Sequence, residues 1–340
     1  NPALHCRAGH WLLDTFGPFK PAAELVRYHH VPWDDGQGAR HNGRQVPMGS
    51  HILHLADRLA ILISEQKLVL PHVRKIRERI DALDGKQFHP SLVQALHQAA
   101  RRESFWMDAS CRSILTVMRS RVVMDDILLE DAELLQLAEF FRRLIDFRSP
   151  FTACHSSGVA AAAETLAKLS GFSPEDTVRM RVASYLHDLG KLAIPREVLE
   201  KPAPLSADEF AIMEGHVYYT YRILESIADL RTIREWSAFH QERLDGSGYP
   251  FHLKSDDLST GARILAVADV FTALTEDRPY REGMTPPDAI KVLEEMSGRR
   301  ELDPDIVQLL GKNLDGINSE RVVAQTNSHR EYERFMAALN

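Results

Sequence analysis

With 340 residues the chain is long enough for about two domains, and 44% hydrophobic with 26% charged residues is a globular composition with material for a sizeable core. A net charge of −7 with histidine neutral argues against a nucleic-acid polymer as partner, and the longest apolar runs, such as residues 59–63, fall far short of the ~18 residues of a membrane span. Three scattered cysteines, Cys6, Cys111 and Cys154, make no disulfide framework and point to a reducing, cytoplasmic setting.

Taken in order, the chain reads as helices almost throughout. Residues 1–101 open on the dense stretch Leu4-His5-Cys6-Arg7, without Met or a polar lead-in. Residues 102–147 carry Phe105, Trp106, Ile114 and Leu115, then Leu134, Leu135, Leu137, Phe140, Phe141 and Leu144, and read as amphipathic connecting helices. Packing between two units is the reading for these; a homodimer face, here or on the N-terminal unit, is the alternative. Ser149-Pro150 predicts a helix start, followed by the stripe Val159, Ala162, Leu166 and Leu169 and a stop at Gly171. Ser173-Pro174 starts a helix running to Gly190, and Ser206 with Glu209 is a capping box ahead of Ile212, His216, Thr220 and Ile223. Residues 245–259, with Gly246, Gly248 and Pro250, form the least regular stretch, and Gly261–Glu276 returns to the helical period. The expectation is an all-α protein with one functional loop.

An internal repeat organises it. Residues 49–62 and 261–274 agree at six of fourteen positions, including the Ala-Asp pairs that end in Asp57 and Asp269. His29 and His240 lie 28 and 29 residues before those aspartates, and His5 and His216 each lie 24 residues before those histidines. Residues 1–101 therefore read as part of a unit that 148–315 carries whole, with 316–340 as a helical tail. Since 61 residues separate His155 from His216 and only four precede His5, the expectation is that the natural protein extends upstream of Asn1.

Sixteen histidines make their placement informative. His155, His187, His216, His240 and Asp269 fall in apolar stripes, and Asp188 adjoins His187. A carboxylate is almost never buried without a partner or a metal, and no matching set of buried Lys or Arg accompanies these. Imidazole with carboxylate suits Zn, Fe, Mn or Ni. Two such ions about 3.5–4 Å apart, sharing a hydroxide, would clamp a phosphorus centre for in-line displacement.

The motifs that follow resemble those of the HD-GYP family of cyclic di-GMP phosphodiesterases, within the HD phosphohydrolase superfamily. His187-Asp188-Leu189-Gly190-Lys191 matches its HD-x-G-K motif, and residues 240–250, with Asp245, Gly248, Tyr249 and Pro250, match its signature at every fixed position but one. Residues 277–281 match its DRPYR segment. The resemblance implies an HD-domain helical bundle, preceded by a truncated, degenerate HD-GYP-like unit. It implies two divalent ions on His155, His187, Asp188, His216, His240 and Asp269, with Asp188 bridging; Gln241, where an imidazole is lost, is read as a further, weaker ligand, with a turn away to bond the loop around Asp245 as the alternative. It places Lys191 near the scissile phosphate and Tyr249, Arg278 and Arg281 against a cyclic dinucleotide substrate. The implied activity is hydrolysis of cyclic di-GMP to the linear dinucleotide and onward to GMP; the alternatives are a catalytically weak or inactive sensor or scaffold binding a cyclic dinucleotide or partner proteins, and a hydrolase acting on another nucleotide such as a mixed cyclic dinucleotide.

Three departures bear on this. Gln241 replaces the second His of the family's HH pair, Phe151 stands where some members have a third-metal Glu, and Thr272 stands where many have Asp. The N-terminal unit has His5, His29, His30 and Asp57 in matching positions, but no HD pair precedes them and Ala39-Arg40 replaces the Tyr-Pro of the loop. A second catalytic site there is not expected.

Overall fold

A computed structural model describes residues 2–111, 113, 117, 118, 122, 128–148, 153–277 and 282–339. The fold is all-α apart from a two-residue antiparallel hairpin, β1 (Arg40–His41) and β2 (Arg44–Gln45). The chain divides into unit 1, Asn1–Leu128 with Ala337–Asn340, and unit 2, Leu129–Met336.

Unit 1 contains α1 (Pro2–Asp14), α2 (Lys20–Arg27), α3 (Met48–Ser64), α4 (Val73–Asp81), α5 (Pro90–Ala99) and α6 (Glu103–Ala109). Its core gathers Leu55, Leu59, Leu62, Ile76, Ile80, Phe88, Val93 and Trp106. The buried face of α3 also carries His51 and His54, while Asp57 is exposed.

Unit 2 contains α7 (Asp131–Asp146), α8 (His155–Leu169), α9 (Pro174–Leu186), α10 (Arg196–Leu199), α11 (Ala207–Glu225), α12 (Arg231–Ala238), α13 (Thr260–Thr275), α14 (Pro286–Gly298), α15 (Pro304–Lys312) and α16 (Leu314–Leu339). Small residues let these helices approach closely: Ala160, Ala162, Ala163 and Ala167 of α8 are all buried, against Val182 and Ala183 of α9 and Ile264, Leu265 and Phe271 of α13. The expected caps form. Ser173 Oγ accepts from Asp176 N, and Ser206 and Glu209 make the reciprocal box that starts α11. The proposed start at Ser149-Pro150, like Phe151, lies outside the described residues.

Two organisational expectations change. The stretch 102–147 is not one connecting layer: Trp106 is core to unit 1, whereas Leu134, Leu135 and Phe141 pack on the core of unit 2. Ile114 and Leu115 lie outside the described residues. The segment read as a tail is the long helix α16, and it closes over α7 and α8. Arg142, buried on α7, donates to Ser328 Oγ at 2.8 Å and to Glu331 Oε2 at 2.6 Å; Arg143 Nε donates to Glu331 Oε1 at 2.6 Å. Ser328 in turn donates to the Ala153 carbonyl, just ahead of α8.

Burial would raise the Glu331 carboxyl, but Arg142 and Arg143 outweigh it and hold the group below its ordinary 4.5. A depressed folded-state value contributes stability above the unfolded value and loses it as pH falls through the folded one. Glu331→Gln is expected to cost about 2 kcal/mol at pH 7, the scale of a charge-assisted hydrogen-bond pair. The difference from the unaltered chain should shrink as pH drops below the ordinary glutamate range, as followed by urea unfolding at several pH values. An unchanged difference at low pH would contradict the ion-pair account.

Candidate metal centre

Six candidate ligands come together in unit 2, from helix starts, helix interiors and the turns that follow helices. His155 is the first residue of α8, and His216 and Asp269 sit inside α11 and α13. The sequence pattern carries one helix through to Gly190, but α9 stops at Leu186; His187 and Asp188 form a corner before a 3₁₀ turn, Leu189–Ala193. His240 likewise lies in a turn beyond α12 rather than on a helix. Gly190 is required at the corner: a Cβ there would stand 1.8 Å from the His216 carbonyl oxygen. Thr220 fixes the same approach, accepting from Gly190 N at 2.8 Å and donating to the His187 carbonyl at 3.1 Å.

His155, His187, Asp188, His216, His240 and Asp269 are all at least nine-tenths buried. His155, His187 and Asp269 form one close set of ligand atoms, and His187, Asp188 and His240 another. Asp188 faces two imidazoles with its two oxygens: Oδ2 lies 3.2 Å from His187 Nε2, and Oδ1 lies 3.4 Å from His216 Nε2. Lys191 Nζ donates to Asp188 Oδ2 at 2.6 Å. Asp269 Oδ1 lies 3.1 Å from His155 Nε2.

A shared bond orients three of the rings. Nδ1 of His187, His216 and His240 each donates to the carbonyl three residues back, of Ser184, Met213 and Ser237, at 2.7, 2.6 and 2.7 Å. That leaves Nε2 as the acceptor nitrogen aimed inward, the tautomer a metal needs. His155 is held differently. Its Nδ1 donates to Glu276 Oε2 at 2.9 Å, and Glu276 is tied to Gln325 and through it to Arg321 on α16.

The electrostatics follow from these contacts. Burial holds His216 at about 4 and His240 at about 3, so both stay neutral near pH 7. For His155 burial is outweighed by Glu276 and Asp269, which raise it to about 10. Asp188 is held well below the carboxylate range despite its burial, by His187 and Lys191. Asp269 is likewise lowered, by His155 and His187. A divalent cation fits this donor set: the imidazoles are oriented, two carboxylates are present, and buried His216 Nε2 has no hydrogen-bond partner among the described residues.

Gln241 faces the site but bonds a ligand: its amide donates to Asp269 Oδ2 at 3.0 Å. Tyr249 is half-buried, and burial with the nearby Asp269 charge raises its hydroxyl. A cis peptide joins Tyr249 to Pro250. Glu242 and Glu276 are supporting residues that motif reading passed over. Buried Glu242 accepts from Phe251 N and Leu253 N at 2.8 and 2.9 Å and so anchors the loop carrying Tyr249. Its signal is its own fixed place in the matched signature, to which the motif reading gives no role; Glu276 gives none beyond adjoining Asp277. Thr272 is fully buried, with no partner for its hydroxyl among the described residues. Arg278 and Arg281 lie outside the described residues.

Residues 139–306 match the family model described as HD domain. This segment of unit 2 is an HD domain. The chain is similar to the 3'3'-cGAMP-specific phosphodiesterase 1 of Vibrio cholerae, at 29% identity over 92% of this chain and 74% of that protein. It also resembles the crystal structure of a cyclic GMP-AMP specific phosphodiesterase of V. cholerae, V-cGAP3, with a TM-score of 0.63 and 27% identity over 91% of this chain and 71% of that one. The cyclic di-GMP phosphodiesterase response regulator RpfG of Xanthomonas campestris pv. campestris is 38% identical over 49% of this chain, which spans 45% of that protein.

Two outcomes test the centre. Asp188→Ala should lose most bound metal, since the carboxylate that faces two imidazoles is gone; an Asp188→Ala protein with full metal content by plasma emission analysis would refute the assignment. Glu276→Gln should retain the fold by circular dichroism but weaken metal affinity about 10- to 100-fold in a competition titration, because His155 loses the carboxylate that orients it.

Proposed function

We propose that unit 2 is a metal-dependent phosphodiesterase that opens a cyclic dinucleotide to its linear form. The observation that carries this reading is Asp188, a buried carboxylate whose two oxygens face different imidazoles, as a ligand shared by two ions requires. His155 with Asp269 and His216 with His240 would complete the shells, and Gln241 would hold Asp269 rather than serve as a ligand. Divalent ions bound there would supply Lewis-acid stabilisation of a phosphorus centre and an activated water.

The chain's own residues would do the rest. Lys191 is within reach of the shared carboxylate and would offer a point charge to the phosphate as negative charge develops. Tyr249 would position the substrate from the loop that Glu242 anchors, and the exposed ring of Phe210, 6.4 Å from Tyr249, would offer a face for a base to stack on. Arg278 and Arg281 are proposed to fork onto the dinucleotide phosphates.

The substrate proposed is 3'3'-cGAMP ahead of cyclic di-GMP. The motif resemblance leaves a mixed cyclic dinucleotide open beside cyclic di-GMP; the relative matched over 92% of the chain is named for 3'3'-cGAMP, whereas the cyclic di-GMP enzyme RpfG matches over 49%. The test incubates the metal-loaded chain with each dinucleotide and separates products by chromatography. A linear dinucleotide from 3'3'-cGAMP at higher kcat/KM than from cyclic di-GMP supports the reading. Binding without any product, at every metal concentration, would favour the sensor. Lys191→Ala should lower kcat about 10²-fold or more with KM little changed, the pattern of a contact made in the transition state.

A further inference from the structure

Unit 1 reproduces part of the ligand geometry in a place where no catalytic pair accompanies it. His5 lies on α1 and His29-His30 follow α2, as His216 lies on α11 and His240-Gln241 follow α12. Unit 1 therefore keeps two adjacent imidazoles where unit 2 has one and an amide. One nitrogen from each of His5, His29 and His30 lies within 4.8 Å of the others. Their ring centroids are 5.1, 5.6 and 4.1 Å apart. His29 Nδ1 donates to the Val26 carbonyl at 2.6 Å, three residues back, which is the bond that orients His187, His216 and His240. Its Nε2 is thereby set as a lone pair.

A further imidazole backs the cluster. His54 on α3 is 7% exposed, its ring is 5.7 Å from His30, and its Nδ1 has no hydrogen-bond partner among the described residues. Crowded imidazoles repel one another once protonated, whereas neutral rings with converging lone pairs gain from a cation between them. His30 also lines a cleft of about 740 Å³ with Arg7, Arg27, Arg44 and Tyr28, and no acidic side chain lines it. The Arg27 guanidinium lies over the Tyr28 ring at 5.5 Å, held in place rather than free. Guanidinium groups facing a metal's open side suit a phosphate.

We propose that unit 1 holds a divalent transition-metal ion on His5, His29 and His30, and that the open side of this ion binds a phosphate-bearing ligand in the arginine-lined cleft. The site stands apart from the phosphodiesterase reading, since none of its residues belongs to the unit 2 centre.

The test uses Co²⁺ as the metal probe and inorganic phosphate as the ligand probe, on the full 340-residue chain carrying Asp188→Ala to weaken the unit 2 centre. The visible absorption of bound Co²⁺ should report an ion that disappears when His5→Gln and His30→Gln are added, with circular dichroism unchanged. Exposed His5 altered alone should weaken Co²⁺ binding, so the test survives a misfolded double variant. Phosphate should shift the Co²⁺ band and tighten Co²⁺ binding about tenfold. Arg7→Ala with Arg44→Ala, both exposed positions, should abolish that response while retaining the metal. Equal Co²⁺ stoichiometry and spectra with and without His5 and His30 would overturn the metal site. A phosphate response that persists without Arg7 and Arg44, or none in the parent protein, would overturn the ligand assignment. Neither outcome depends on turnover in unit 2.

Discussion

A buried carboxylate must be paired, and in unit 2 that demand falls on Asp188. It lies between His187 and His216 with Lys191 on its outer oxygen. Removing one partner would strand charge in a dry interior, so the surroundings are built to keep all of them in place. Gly190 lets the corner approach the α11 backbone, Thr220 clips it there, and Arg148 donates to the Lys191 carbonyl at 2.7 Å. Packing, backbone geometry and charge thus act on one five-residue turn.

A ring of hydrogen bonds outside the candidate ligands orients the side chains of the proposed metal centre. Three imidazoles use a local device, a bond to their own chain three residues back, made by His216 within its helix and by His187 and His240 just past the ends of theirs. His155 starts a helix and takes its orientation from Glu276 instead. Glu276 depends on Gln325, so the helix that closes the fold at its C-terminal end also supports the site. The same helix α16 also carries Ser328 and Glu331, which accept from buried Arg142 on α7.

Sequence stretches shared by the two units show how context decides chemistry. The Ala-Asp pair recurs on α3 and α13, yet Asp269 is buried against His155 and Asp57 is exposed. His29 keeps its orientation because it is set locally, by the Val26 carbonyl, whereas the carboxylate's role needs His155 and His187 beside it, and unit 1 has no described counterpart of that pair. A metal site built from histidine alone is what the local geometry leaves.

Much of this was legible in the sequence because the signals are local or periodic. Helical stripes, the caps at Ser173 and Ser206, and ligand residues at fixed spacings follow from short-range chemistry. Buried carboxylates are rare enough that Asp188 and Asp269 in apolar stripes already implied partners. The family motifs then sorted ligand from loop. What only the tertiary structure decided depends on residues far apart in the chain. The helix read through to Gly190 breaks at His187 because α11 must come within reach of Gly190. Gln241 turns to Asp269, 28 residues away, a direction no spacing encodes. The 102–147 stretch parts between two cores because Trp106 and Leu134 find different neighbours. Glu276 matters only because folding sets it beside His155, 121 residues earlier, and α16 above it. Local hydrogen bonding and periodic burial can be read along a chain; the pairing of buried polar groups across it is settled when the helices pack.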